Sequence, residues 1–164
     1  MNIFITVGSQ KFQFDRLLRA VDRLAAEGKI TDAIFAQTGS SAYIPQQFPS
    51  QPFLNQEEFA DRLDQADIVI THGGTGVIMN AVKRGKKVIA VPRLARYGEH
   101  VDDHQLELLR QFEQLDLICR WDDCDTLDEA LAQVKRTRYK PYQSNTRAIL
   151  DSIEAFIRSA FPQP

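Results

Sequence analysis

The chain reads as one α/β domain, a Rossmann-like parallel sheet with helices on both faces. Three observations predict this. Short apolar runs alternate with stretches of helical periodicity along the chain. A glycine-rich turn, Thr71-His72-Gly73-Gly74-Thr75-Gly76, joins one apolar run to a helix. The length, 164 residues, suits one substantial core and is short for two, so residues 1–164 are taken as one domain.

Residues 2–7 form an apolar run that ends at Gly8-Ser9, as a buried first strand does. Phe14, Leu17, Leu18, Val21 and Leu24 then recur at helical spacing, with Gly28 as the stop signal. Residues 33–37 read as the second strand. The polar, proline-bearing stretch 39–52 is a loop expected to return to a short strand near Phe53-Leu54. Asn55 with Glu58 makes a capping box and opens a helix to about residue 66. Residues 67–71 are the next strand, 76–84 its helix and 87–91 the fifth strand.

A loop over 92–102 leads to a helix over about 103–115, expected to bury Leu106, Leu109 and Phe112. A small strand at 117–119 comes next, then a helix from Thr126, which forms a capping-box pattern with Glu129. The last helix carries Ile149, Ile153, Phe156 and Ile157 on one stripe, to pack on this domain, on a partner or on both.

A net charge of -2 gives no pull toward nucleic acid. The basic clusters at 83–87 and 136–140 read as solvated faces, open to a partner or an anionic membrane surface. No apolar run approaches the roughly 18 residues of a membrane span. A first strand at the very start leaves no room for a signal peptide, and the two cysteines, Cys119 and Cys124, read as buried inert thiols. The expected location is the cytoplasm, with any membrane contact peripheral or borrowed from a partner.

The chemistry concentrates at the glycine turn. A strand, a glycine turn and a helix start leave backbone N–H groups unpaired at the positive end of a helix dipole, and glycine lets an anion approach them. No Lys-Ser/Thr follows the glycines, and the third glycine of the dinucleotide fingerprint is absent. A phosphate-bearing ligand of another kind is the expectation, held where the strand ends at Gly8-Ser9, Thr38-Gly39-Ser40, 72–76 and Pro92 converge.

The order Val7-Gly8-Ser9, then residues 66–76 (ADIVITHGGTG), then 85–92 (GKKVIAVP), then Asp103-His104-Gln105 resembles the C-terminal, donor-binding domain of GT-B glycosyltransferases related to the peptidoglycan UDP-GlcNAc transferase. It is most similar to the stand-alone version, as in the small catalytic subunit of the dolichol-linked UDP-GlcNAc transferase and its bacterial capsule and exopolysaccharide counterparts. The likeness covers residues 1 to about 112. It implies half of a GT-B fold and a catalytic, donor-binding subunit of an inverting UDP-sugar transferase. It also implies a polyprenyl-diphosphate-linked glycan acceptor, held by a membrane-associated partner subunit at the inner face of the membrane. The general base is expected on that partner, and neither cofactor nor metal is needed.

The resemblance assigns the donor diphosphate to Gly8, Ser9, His72, Gly73, Gly74, Thr75 and Gly76. It assigns the ribose to Asn80, where relatives carry glutamate, the uracil to Phe53 and Leu54, and the donor sugar to Glu99, Asp103, His104 and Gln105. Plainer roles stand beside these. Gly8 makes a tight turn, His72 satisfies a backbone carbonyl, Phe53 and Leu54 belong to the core, and Asp102 with Gln105 caps a helix. His100 and His104, with Glu99, Asp102 and Asp103 beside them, are spaced as a helical metal-ligand pair, but in a loop and without a third ligand of fixed spacing. Asp123-Cys124-Asp125 matches an Asp-x-Asp metal motif, yet it precedes a capping pattern that explains its acids. The competing function is a nucleotide-sugar-binding regulatory or scaffold module without transfer activity; a dinucleotide oxidoreductase is disfavoured by the absent fingerprint.

Overall fold

The runs of Ile, Val, Phe and Ala form β1 (Asn2–Thr6), β2 (Ala33–Gln37), β4 (Ile68–His72) and β5 (Lys87–Val91), with short edge strands β3 (Ser50–Gln51) and β6 (Cys119–Arg120). Helices α1 (Asp15–Ala26), α2 (Gln56–Gln65), α3 (Thr75–Lys83), α4 (His104–Gln114), α5 (Leu127–Arg136) and α6 (Thr146–Ala160) connect and extend them. This computed structural model describes residues 1–144 and 146–160; the rest of the tail read as part of the domain lies outside the described residues.

Among the described residues the sheet is parallel, with strand order β3-β2-β1-β4-β5-β6. The order reverses between β1 and β4, so connections leave in opposite directions there and a crevice opens beyond their carboxyl ends. The strands finish level: Thr6 pairs with both Gln37 and Thr71, and His72 pairs with Val91. The turns that leave these strands therefore meet at one edge.

Alternation along the strands supplies both faces of the sheet. Ile3, Ile5, Ile68, Ile70, Ile89 and Val91 point toward α1 and α5, where Leu17, Leu18, Leu24, Leu127 and Leu131 close the first core layer. Phe4, Val69, Val88 and Ala90 point the other way, onto Leu63, Ile78, Val82 and Leu109 of α2, α3 and α4. Each large aliphatic side chain buried this way contributes about 1.5–3 kcal/mol, so the sheet edge that carries the turns rests on a rigid base.

Several local expectations need correction. The short strand lies at Ser50–Gln51, ahead of Phe53-Leu54, because Ala36, Thr38 and Gly39 donate their amides to Pro49, Gln51 and Pro52. The edge strand β6 is Cys119–Arg120 and not 117–119, since only these residues pair with Ile89 and Ala90. Helix α4 turns Gln105 and Leu109 inward and leaves Leu106 and Phe112 half-buried, because the Gln105 side chain serves buried backbone donors just past β4 and β5.

The capping box of Asn55 and Glu58 is formed. That of Thr126 and Glu129 is not: the Thr126 hydroxyl accepts from Trp121 Nε1 at 3.1 Å, while Asp123 caps the turn before α5 by accepting from Asp125 N. The last helix does not bury its stripe, since Ile149, Ile153 and Ile157 are each about half exposed. No described helix is long and apolar enough to cross a membrane.

Candidate functional site

The turn after β4 opens α3 with Gly74 as its N-cap and no side chain capping it. The first amides of α3 therefore point outward without intrahelical partners, at the positive end of the helix. Thr75 and Gly76 are exposed, and a side chain at Gly76 would meet nothing within 4 Å. Helix α1, beside it, begins differently: the Gln13 side chain already accepts from Asp15 N at 2.7 Å.

His72 is the pivot of this edge. Its ring, 8% exposed, lies between two glycine turns. A Cβ on Gly8 would sit 2.6 Å from His72 Cε1, and one on Gly74 would collide with His72 Nε2. Gly8 also adopts a positive φ of 80°, and a Cβ on Gly39 would stand 2.6 Å from the Gly8 carbonyl oxygen. The glycines at 8 and 74 thus let two strand ends close on one imidazole, and Gly39 lets a third pack against the Gly8 turn.

Thr71 Oγ1 donates to Thr6 O at 2.8 Å, which commits its one proton, so at the 3.3 Å contact the donor is His72 Nδ1. Nε2 is then the lone-pair nitrogen, facing the glycines. Burial, with the charge of Arg93 added, holds the ring's pKa down to about 4. The imidazole is neutral near pH 7 and donates through Nε2 only if an anion raises its basicity.

Gln105 and Arg93 hold the rest of the edge. Gln105 Oε1 accepts from Gly73 N and from Arg93 N, both at 3.0 Å, tying the ends of β4 and β5 together. Arg93, 2% exposed, donates to Val7 O at 2.5 Å, Phe12 O at 2.9 Å, Gln13 O at 2.8 Å and Glu99 O at 3.1 Å. Burial lowers its pKa to about 10, so the guanidinium stays charged and brings a fixed positive charge under the first glycine turn. The sequence reading missed Arg93. Its one signal was a charged residue directly after an apolar strand, at the position where strand ends converge.

The residues assigned to the donor sugar separate. Glu99 is fully buried and cannot face a ligand: its carboxylate takes Arg16 Nε and Nη2, each at 2.9 Å, and Leu94 N at 3.0 Å. Gln105 is buried at 4% with its oxygen committed, so it acts as a brace and its assignment to the sugar is corrected. The capping box of Asp102 and Gln105 is absent for the same reason. Asp103 accepts from Ala95 N at 2.7 Å and remains exposed. His104 remains exposed on the rim, its Nδ1 against Asp102 Oδ1 and its ring edge-on to His100 at 4.7 Å between ring centroids.

On the opposite rim Phe53 is 53% exposed, whereas Leu54 packs against the second core layer, the core role left open for it. Ser9 is exposed beside Gly8. Asn80 lies on the exposed face of α3 and accepts from Arg84 Nη1 at 2.8 Å, so a diol would compete with that bond. Cys119 and Cys124 are free and buried, and burial pushes the Cys124 thiol up to about 12. Cavities of about 260 Å³ beside Asn2 and Phe35, and about 500 Å³ beside Lys86 and Lys87, lie away from these strand ends.

A 3-2-1-4-5-6 parallel sheet with a bare helix start and glycine turns at its switch point defines a Rossmann-like domain of the kind that makes up half of a GT-B glycosyltransferase. The solved glycotransferase of kitacinnamycin superposes with a TM-score of 0.59 at 19% identity, over 83% of this chain and 35% of that one. The NMR structure of ALG13 superposes with a TM-score of 0.56 at 16% identity, over 93% and 94%. Residues 2–159 match the glycosyltransferase family 28 C-terminal domain, and the chain belongs to that family. The match extends past residue 112, where the sequence likeness was read to fade. The human UDP-N-acetylglucosamine transferase subunit ALG13 is 28% identical over an alignment of 121 residues that covers 68% of this chain. The chain spans about 10% of the length of that relative.

Proposed function

We propose that this chain is the donor-binding, catalytic subunit of an inverting UDP-sugar glycosyltransferase. The observation that carries the reading is the uncapped start of α3 at the switch point, closed in by the turns at Gly8 and Gly74 around His72. A diphosphate there would take hydrogen bonds from the amides of 74–76 and from the Ser9 and Thr75 hydroxyls, with Arg93 adding charge below. These groups stabilise negative charge as it grows on the departing UDP, so the leaving group needs no divalent ion. Phe53 offers a face for the base, Asn80 a diol partner on α3, and His104 with Asp103 the rim nearest the sugar.

Inversion takes one in-line attack. An acceptor hydroxyl loses its proton to a base, attacks the anomeric carbon, and UDP leaves from the opposite face. Glu99, the buried carboxylate of the crevice, is held by Arg16 and cannot act as that base. The base and the acceptor site belong to a second, membrane-associated subunit in this reading, which agrees with the word subunit in the name of the human relative. The acceptor is a polyprenyl-diphosphate-linked glycan of capsule, exopolysaccharide or lipid-linked oligosaccharide assembly. The complex then works at the inner face of the membrane, with this chain peripheral.

The test has two parts. Calorimetry on the purified chain is expected to show UDP binding at one site, and transfer to a lipid-linked acceptor is expected only once the partner subunit is added. Absence of UDP binding would overturn the site. Transfer at enzyme-like rates by this chain alone would overturn the half-enzyme reading. UDP binding with no transfer in any reconstituted complex would make the chain a regulatory nucleotide-sugar module.

A further inference from the structure

We propose that His100, Asp102 and His104 form a site for a divalent transition-metal ion, zinc by preference, on the rim of the crevice. The site shares His104 with the rim placed nearest the sugar above, but rests on its convergence with His100 and Asp102 and not on that assignment. One ligand atom from each of His100, Asp102 and His104, a ring nitrogen or a carboxylate oxygen, lies within 4.8 Å of the other two. The residues alternate through the turn into α4, so three side chains spaced two apart reach one point. The sequence placed Glu99, Asp102 and Asp103 beside the two histidines without fixing a third ligand; the turn brings Asp102 to them.

The donor atoms of this cluster converge. Asp102 Oδ1 stands 3.3 Å from His100 Nδ1 and also contacts His104 Nδ1, and the Asp102 amide approaches His100 Nδ1 at 3.4 Å. One carboxylate oxygen therefore faces a nitrogen of each imidazole, and a metal ion would draw on all three side chains at once.

The site is also preorganised and accessible. The His100 side chain is only 10% exposed, with Phe12 at 5.2 Å and His104 at 4.7 Å between ring centroids, so its nitrogen is fixed toward the cluster. Asp102 and His104 are more than half exposed and can close the remaining distance onto an ion arriving from solvent. Two imidazoles and one carboxylate are a zinc donor set, and three protein ligands leave a fourth position for water or another oxygen. The positive start of α4 opposes a cation, and the carboxylates of Asp102 and Asp103 offset it.

The experiment uses the full chain, stripped with chelator and titrated with zinc chloride by calorimetry and with cobalt(II) by visible absorption. One ion per chain is expected, with cobalt bands of nitrogen and oxygen ligands and no thiolate charge-transfer band. His104→Ala, a change at an exposed position that circular dichroism should show to be folded, is expected to weaken binding at least about tenfold. Asp102→Asn is expected to do the same, and Glu107→Gln, on the solvent face of α4, to leave it unchanged. No binding by the wild type, unchanged affinity in folded His104→Ala, or a thiolate band from Cys119 or Cys124 would each overturn the site.

Discussion

Acidification is expected to weaken this domain through His72. The ring's pKa is about 4 in the folded protein against an ordinary 6.5, held there by burial first and by Arg93 second. A base with a depressed folded pKa is protonated first in the unfolded chain. Between pH 6.5 and 4 the unfolded state thus binds more protons, and stability falls as pH falls. Above that window the ring is neutral in both states and costs nothing. At about 1.4 kcal/mol per pH unit, the loss is about 2 kcal/mol by pH 5 and about 3 kcal/mol by pH 4, where it levels off. That is a large part of a typical stability of about 5–15 kcal/mol. Urea unfolding from pH 7 to pH 4.5 measures it, with His72→Asn as the reference so that carboxylate titrations cancel. A flat difference between the two proteins across that range would refute the buried neutral imidazole. A bound diphosphate raises the ring's basicity, so UDP affinity is expected to rise as pH falls from 7 toward 5 in the wild type and not in His72→Asn.

Gly76→Val is expected to fold normally and lose UDP binding by calorimetry, because its side chain enters open space beyond the start of α3. Gly74→Val is expected to lose stability as well, since its side chain meets the His72 ring, and a thermal melt separates the two. Gln105→Ala strands the buried amides of Gly73 and Arg93, at about 1–3 kcal/mol each, and is expected to impair UDP and UDP-sugar binding alike; selective loss of the sugar-bearing ligand would restore Gln105 to the sugar. EDTA is expected to leave transfer by the reconstituted complex intact, since helix-start amides act on the leaving group and the rim ion takes no part in the reaction. Ile153→Asp, on the exposed stripe of α6, is expected to leave UDP affinity unchanged and abolish co-purification with the acceptor subunit.

Periodicity carries far in this chain because each element is decided locally. A strand alternating Ile and Phe at positions 3–5, or a helix with Leu17, Leu18, Val21 and Leu24 on one stripe, has one way to bury its apolar atoms. The glycine turn at 73–76 was legible for a similar reason, since an uncapped helix start after a strand is a local property of the backbone. So the sequence by itself determined the parallel α/β layout, and it pointed to the edge where an anionic ligand is proposed to sit. It did not determine which polar side chains face that ligand. Glu99, Gln105 and Arg93 have partners 5 to 86 residues away, at Arg16, Gly73 and Val7 among others, and a polar residue turns inward or outward according to whether such a partner is waiting. The same holds for the glycines: that Gly8 and Gly74 are both shaped by the one ring of His72 results from β1 and β4 lying side by side, which the tertiary fold alone brings about.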